Sequence, residues 1–307
     1  MSRPAMARPS AAEAITQAII ECLEHGVRPW VRPWTSTKNS RPLRACGTAY
    51  RGINTLWLWM AADAAGHSSP YWLTYRQAQL LRGQLRKGER GTMAVFYKTY
   101  SKEVEDEPGD TVPESRRVLR NFTVFNACQV EDLPARFFPE PRPLPEPTER
   151  DWELDNFFAA VPAKLRHGGD EAYYRAGPDD ITMPHLAAFT DRDHYRATLA
   201  HEMAHWTGHP SRLARDLTGR FGSSAYAVEE LIAEMAAAMI GAELGLPVAH
   251  LDHHASYVAS WLKVLKGDSR AILAAAAKAE QASSFLLAFR SAEDLEAAGL
   301  LAEAIAA

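Results

Sequence analysis

Residues 199–209 read LAHEMAHWTGH, and the five residues His201-Glu202-Met203-Ala204-His205 within them decide how the C-terminal half of this chain is understood. Positions four apart share one face of an α-helix, so both imidazoles can turn toward a single ion. Neutral imidazole suits Zn²⁺, which brings the pKa of a bound water down to about 7. Glu202, beside the first histidine, can then accept that water's proton and hand it to a leaving amine. The bland alternative is a helix that carries two histidines and a solvated glutamate by chance. Three neighbours argue against it. The preceding DHYRATLA continues the helix, with Leu199, Ala200, Met203 and Ala204 available for burial; Trp206-Thr207-Gly208 ends it; and a second acidic helix follows.

That second helix is YAVEELIAEMAAAMI, residues 226–240. A catalytic zinc needs a third protein ligand and one open position. Glu230 as the ligand, with Glu234 one turn later orienting a ligand histidine, matches the division of labour in thermolysin-like enzymes, the gluzincins. Glu229 stays a rival, because adjacent helix positions differ by about 100° and sequence does not fix the rotation. His209 invites the metzincin pattern H-E-x-x-H-x-x-G-x-x-H, but the third-histidine position falls on Ser211. His209 is therefore read as structural.

An apolar content of 47% over 307 residues is enough for a sizeable core and leaves room for two domains. Cys22, Cys46 and Cys128 are scattered and form no C-x-x-C pair, so neither a cysteine zinc site nor a disulfide framework is indicated, and the usage suits a reducing cytoplasm. The N-terminal residues lack the pattern of a signal peptide, and no apolar run of about 18 residues appears, so a cytoplasmic protein without a membrane partner is expected. Charge is divided unevenly. Residues 1–102 carry 15 Lys and Arg against 5 Asp and Glu, and the rest carries 19 against 33. A cationic first third on an anionic remainder points to a polyanionic partner for that third.

Apolar spacing predicts a helix over 11–25 ended by Gly26, a second through LWLWMAADAAG to Gly66, and a third in YRQAQLLRGQLRKGERG that ends in a basic turn. GTMAVFYKTY and RRVLRNFTVFNACQV alternate as strands, with the acidic, Pro- and Gly-broken KEVEDEPGDTVPES expected as an exposed hairpin loop between them. LPARFFPEPRPLPEPTER, with six prolines, marks a linker. Beyond it DWELDNFFAAVPAKL is expected as a helix and EAYYRAGPDDITMPHLAAF as short strands; from Asp193 the pattern is mostly helical. The expected organisation is α+β: a small mixed α/β domain over 1–137, a Pro-rich linker over 138–150, and a mainly helical, gluzincin-type metallopeptidase domain over 151–307.

Five of the eight tryptophans lie in the cationic segment. Trp57 and Trp59 in NTLWLWM are read as core. In Arg28-Pro29-Trp30-Val31-Arg32-Pro33-Trp34 the prolines hold the backbone extended and repeat Arg and Trp every four residues. Single-stranded nucleic acid offers phosphates to such cations and base faces to such rings, each stacked base being worth roughly 1–3 kcal/mol.

RPWVRPW, YRGINTLWLW, YWLTYRQAQ, LRKGERGTMAVFYK and FTVFNACQV resemble the N-terminal domain of ArdC-type antirestriction proteins, which certain plasmid primases share. HEMAHWTGHPSRLAR, YAVEELIAE and LDHHASYVASWLKVLKGD resemble the zincin-like domain of the same family. The resemblance implies a single-stranded-DNA-binding domain joined to a metallopeptidase-like domain, in a factor that protects entering plasmid DNA from host restriction during conjugation. It carries metal binding onto His201, His205 and a glutamate of EELIAE, and the catalytic acid onto Glu202. Candidate nucleic-acid contacts are Arg28, Trp30, Arg32 and Trp34, with Tyr50, Arg51, Asn54, Trp72, Arg86, Lys87 and Lys98 from the motifs quoted. The expected cofactor is one divalent ion, Zn²⁺. The expected partners are single-stranded DNA and a host restriction component or other protein substrate. Two other readings stand beside this one: a DNA-binding module whose metal domain is catalytically inactive and serves structure or recruitment, and a plain metallopeptidase whose basic half selects acidic substrates.

Overall fold

The computed structural model describes residues 9–30, 41–107, 110–139, 147–217, 219, 223–246 and 254–290. The chain is α+β, with eight α-helices and three small sheets among these residues.

Helix α1 (Ala11–Glu24) begins in a reciprocal cap: the Ser10 hydroxyl accepts from the Glu13 amide while the Glu13 carboxylate accepts from the Ser10 amide. Its buried stripe is Ile15, Ile19 and Leu23. After β1 (Leu43–Arg44), α2 (Ile53–Ala65) ends at Gly66, whose left-handed φ of 66° closes the helix as expected. Next come β2 (Tyr71–Leu73), α3 (Tyr75–Leu80), β3 (Gln84–Leu85), β4 (Thr92–Glu107), β5 (Asp110–Asn126) and β6 (Val130–Glu131). One sheet has the order β1-β2-β5-β4, and β3 pairs with β6.

Two expectations change here. The third helix stops at Leu80, well short of the basic turn. Gly83 sits so close to Val130 and Leu133 that a Cβ would lie 2.8 Å from each, and the chain there turns into β3. The acidic stretch after Tyr100 is no loop: β4 and β5 stay in register through Val104↔Val112 and Glu105↔Thr111, making one long ribbon. Beyond the end of β2 the ribbon has only two strands, so Pro113 costs at most one ladder bond.

In the C-terminal half, α4 (Pro147–Ala160) starts on a proline, as a first helical position favours, and takes in the last residues of the Pro-rich stretch. It ends before Lys164, where β7 (Lys164–His167) begins; β8 (Tyr173–Arg175) and β9 (Asp180–Met183) complete a sheet of order β7-β9-β8. Helix α5 (Arg192–Trp206) lies on β8 and β9. Helix α6 (Ser224–Leu244) is apolar on nearly every side, the signature of a central helix. It packs against α5, α7 (His254–Gly267) and α8 (Ala271–Leu287). Among the described residues no helix is long and apolar enough to cross a membrane.

The largest core draws on both halves. Ile15, Ile19, Trp30, Leu56 and Trp59 pack in one cluster with Leu231, Met235, Met239, Trp261 and Ile272. A buried polar strap runs beside it. Arg41 reaches Glu280 Oε1 at 2.6 Å and Ser283 Oγ at 3.0 Å, with its Nε 3.0 Å from Glu243. The other Glu280 oxygen accepts from the Gly52 amide at 2.9 Å. Gly52 has no side chain with which to cap α2, so a carboxylate from α8 answers its orphan donor and the helix dipole. Glu280→Ala is expected to destabilise the protein by about 3 kcal/mol, since it leaves the Arg41 guanidinium buried and short of a partner. Urea unfolding of the full chain checks this, and an unchanged midpoint would refute the strap.

Candidate functional site

Helix α5 is fixed at its start by Asp191, whose carboxylate accepts from the His194 amide. Three turns on, His201, Glu202 and His205 are all buried, and α6 lays Glu229, Glu230 and Glu234 against them. The two Nε2 atoms stand 3.2 Å apart. Glu230 brings its oxygens to 3.7 Å from His201 Nε2 and 3.5 Å from His205 Nε2. His201, His205 and Glu230 thus offer three ligand atoms within 4.8 Å of one another.

These residues fit a divalent ion. Two nitrogen ligands about 2.05 Å from one ion at a tetrahedral angle stand about 3.3 Å apart, close to the spacing found. The electrostatics agree. Burial works against charge on both imidazoles, yet the Glu230 and Glu229 carboxylates outweigh it and lift His205 to about 9; His201 is raised as well, chiefly by Glu230. Burial also opposes charge on Glu230, but the facing histidines hold its carboxyl down at about 2. The pocket is built to hold positive charge between imidazole and carboxylate.

Neighbouring groups hold the donors in place. Glu229 Oε1 lies 3.2 Å from His205 Nδ1, which fixes that ring with Nε2 toward the site. Glu229 is gripped in turn by buried Arg215, whose Nη2 and Nε donate at 2.7 and 3.0 Å, and which also binds Thr207 Oγ1 and the Ala204 carbonyl. The histidine-orienting contact therefore belongs to Glu229. Glu234, expected from the sequence to orient a ligand histidine, accepts from Trp30 Nε1 at 3.2 Å and lies 3.4 Å from Arg28 Nη1. A helix turns about 100° per residue, which aims Glu229 and Glu234 past Glu230 on different sides. Tyr226 supports Glu230 with its hydroxyl. Burial raises the Glu202 pKa, and the Tyr174 amide on β8 donates to its carboxylate. His209 bonds the Ser211 hydroxyl at 2.7 Å, a local turn contact away from the site. Arg215 and Tyr226 carried no spacing signal; only the packing of α6 on α5 reveals them.

The candidate nucleic-acid residues scatter. Arg28 and Trp30 point into the C-terminal half, Trp30 only 1% exposed. Arg32 and Trp34 lie outside the described residues. Tyr50 and Trp72 are buried core rings, and Asn54 clasps the backbone of Val95 through both amide atoms. None of the three buried rings, Trp30 included, offers a face to a strand of nucleic acid. Arg51, Lys87 and Lys98 are exposed, and Arg86 is exposed but paired with Glu89 at 2.9 Å.

A different surface combines rings with cations. Strand alternation and the register Phe96↔Arg120 and Lys98↔Val118 put Phe96, Lys98, Tyr100, Val118, Arg120 and Phe122 on one face of the β4–β5 ribbon. Phe96 is 44% and Tyr100 36% exposed, so both rings are open to solvent. Lys98 Nζ stands 5.0 Å from the Tyr100 ring centroid, and Arg120 donates to the Tyr100 hydroxyl at 3.2 Å.

Family models match the chain in two blocks, residues 9–125 to the N-terminal domain of anti-restriction factor ArdC and residues 152–278 to a zincin-like metallopeptidase. The protein y4eC of Sinorhizobium fredii is 43% identical over 286 residues, covering 91% of this chain and 92% of its own length. A DNA primase TraC of Escherichia coli is 40% identical over 300 residues; the match covers 90% of this chain but only 27% of the primase. The metal-free crystal structure of antirestriction ArdC protein from the R388 plasmid matches with a TM-score of 0.78 at 41% identity, covering 92% of this chain and 98% of that one. Its Mn(II)-bound structure matches with a TM-score of 0.76 at 41% identity, covering 92% and 99%. Both halves, in the same order and on the same fold, agree on one assignment: the chain belongs to the ArdC family of antirestriction proteins.

Proposed function

We propose that this protein is a cytoplasmic, single-stranded-DNA-binding antirestriction factor that protects incoming plasmid DNA and carries one divalent ion, Zn²⁺, at a metallopeptidase-type centre. Residues 1–137 serve DNA and 151–307 serve the ion, joined through 138–150. The observation that carries the metal reading is the gathering of His201, His205 and Glu230 around one point with Glu202 beside it. The Mn(II) form of the R388 protein supports it. For DNA, the support is the cationic first third and the aromatic, cationic face of the ribbon, together with a relative that is a DNA primase.

A bound ion supplies Lewis acidity and a water acidic enough to lose its proton near neutral pH. The protein does the rest. His201 and His205 offer neutral Nε2 lone pairs, with the His205 tautomer set by Glu229. Glu202 takes the proton on a carboxylate oxygen and delivers it to the leaving amine nitrogen; burial raises its proton affinity, which suits that exchange. The substrate in this reading is a protein, either a host restriction component or another protein.

A second reading, in which the metal domain serves structure alone, draws support from the core that α6 shares with α1 and α2. Glu202→Gln separates the two. It is expected to keep ion affinity and lower peptide hydrolysis by about 10²–10⁴-fold; full protection of DNA in cells carrying this variant favours the structural reading. Glu229→Gln is expected to weaken ion binding by about 10–100-fold in equilibrium dialysis, because the amide oxygen is a weaker, uncharged acceptor for His205 Nδ1–H. On the DNA side, Tyr100→Ala is expected to weaken oligothymidine binding by about tenfold, the worth of one stacked base. Anisotropy across a salt series checks this, with Lys98→Ala shallowing the slope by about one unit. Equal wild-type affinity for single and double strands sinks the single-strand assignment.

A further inference from the structure

The residues that link the two halves most directly end on the metal helix. Trp30 is fully enclosed; its ring meets Trp261 edge-on at 5.5 Å, and its indole N–H donates to Glu234 Oε2 at 3.2 Å. Arg28 lies 3.4 Å from the same oxygen. Glu234 stands one turn after Glu230 on α6 and is itself buried. From Trp261 the contacts lead back to the site: Tyr257 stacks on Trp261 at 6.1 Å, the Tyr257 and Tyr226 hydroxyls are 3.1 Å apart, and Tyr226 bonds Glu230. Trp30 and Glu230 are thus joined twice, through Glu234 and through the aromatic series.

We propose that Trp30, on the N-terminal segment, is a positioning residue of the metal centre, holding the Glu234 side chain in place one turn beyond Glu230 on the helix that would help carry the ion with His201 and His205. This rests on the metal reading above and goes beyond it, because it makes the centre depend on a residue more than a hundred positions before the zincin-like block. The physical basis is the cost of burying a carboxylate. A buried charge keeps its place and its ionisation only where donors meet it. Burial already raises the proton affinity of Glu234, so the indole N–H is needed to hold the side chain where it lies; without it Glu234 turns away, and the support that α6 gives Glu230 and the ion is weakened. Outer contacts of this kind are typically worth 10–100-fold in metal affinity.

The test is a Co²⁺ titration of the full chain followed by visible absorption, on wild type, Trp30→Phe, Glu234→Gln and the double variant. Phenylalanine keeps the ring packing and removes the N–H. Trp30→Phe is expected to raise the half-saturating Co²⁺ concentration by about tenfold and to alter the absorption bands of the bound ion. In the Glu234→Gln background the same substitution is expected to change neither, since a coupling through the Glu234 carboxylate vanishes when that carboxylate is gone. Wild-type affinity and bands in Trp30→Phe overturn the proposal, as do equal effects of the substitution in both backgrounds, which mark a general packing role. If Trp30→Phe yields no folded protein, Glu234→Gln alone decides, and wild-type affinity in that variant overturns the proposal. A wild-type chain that takes up no Co²⁺ defeats the metal reading itself, a result distinct from each of these.

Discussion

Burying carboxylates is costly unless positive charge or hydrogen-bond donors meet them, and four are buried where α5 and α6 touch: Glu202, Glu229, Glu230 and Glu234. Each is answered from a different part of the chain. Arg215, from the irregular segment between the two helices, meets Glu229. The histidines of α5 and the Tyr226 hydroxyl meet Glu230, the Tyr174 amide on β8 meets Glu202, and Trp30 and Arg28 meet Glu234. The demand for compensation at one point therefore orders a strand edge, a loop, two helices and the segment after α1. A divalent ion is the natural completion of such a cluster, since two imidazoles alone must be protonated to balance it.

The same logic joins the halves. A Pro-rich stretch in the sequence suggests two bodies on a tether, but α1 and α2 give their apolar faces to α6, α7 and α8. Arg41 and Glu280 add a polar strap across that contact. Nucleic-acid and metal chemistry would then be carried on one packed unit, with the β4–β5 ribbon as the part that extends from it.

Much of the candidate metal centre is legible in the sequence because it is local. H-E-x-x-H places two candidate ligands and a candidate acid by helical period alone, and EELIAE supplies a carboxylate that the fold brings to them. The separate duties of Glu229 and Glu234 are not legible, because they depend on the rotation of α6, which is set only when α5 and α7 pack against it. Trp30 misleads for a related reason. Arginine, proline and tryptophan in close alternation look like an exposed loop, and burial of the ring depends on Trp261 and Glu234, more than two hundred residues away in the chain. The ribbon misleads in the opposite sense: acids, Gly and Pro break a strand pattern when read along one chain, but pairing of β4 with β5 is decided across two.

The reach of α1 across the whole chain has a consequence for synthesis. The Thr16 hydroxyl donates to the Ser269 carbonyl, a separation of 253 residues. At translation rates of about 5–20 residues per second, the apolar stripe of α1 waits roughly 10–50 s after it leaves the ribosome before the surface it covers exists. Ile15, Ile19 and Leu23 must spend that interval in a chaperone, in a provisional collapse, or against another nascent chain. The packing of α1 against α7 then waits until α7 has been made, and α6 completes its packing against α7 and α8 no earlier.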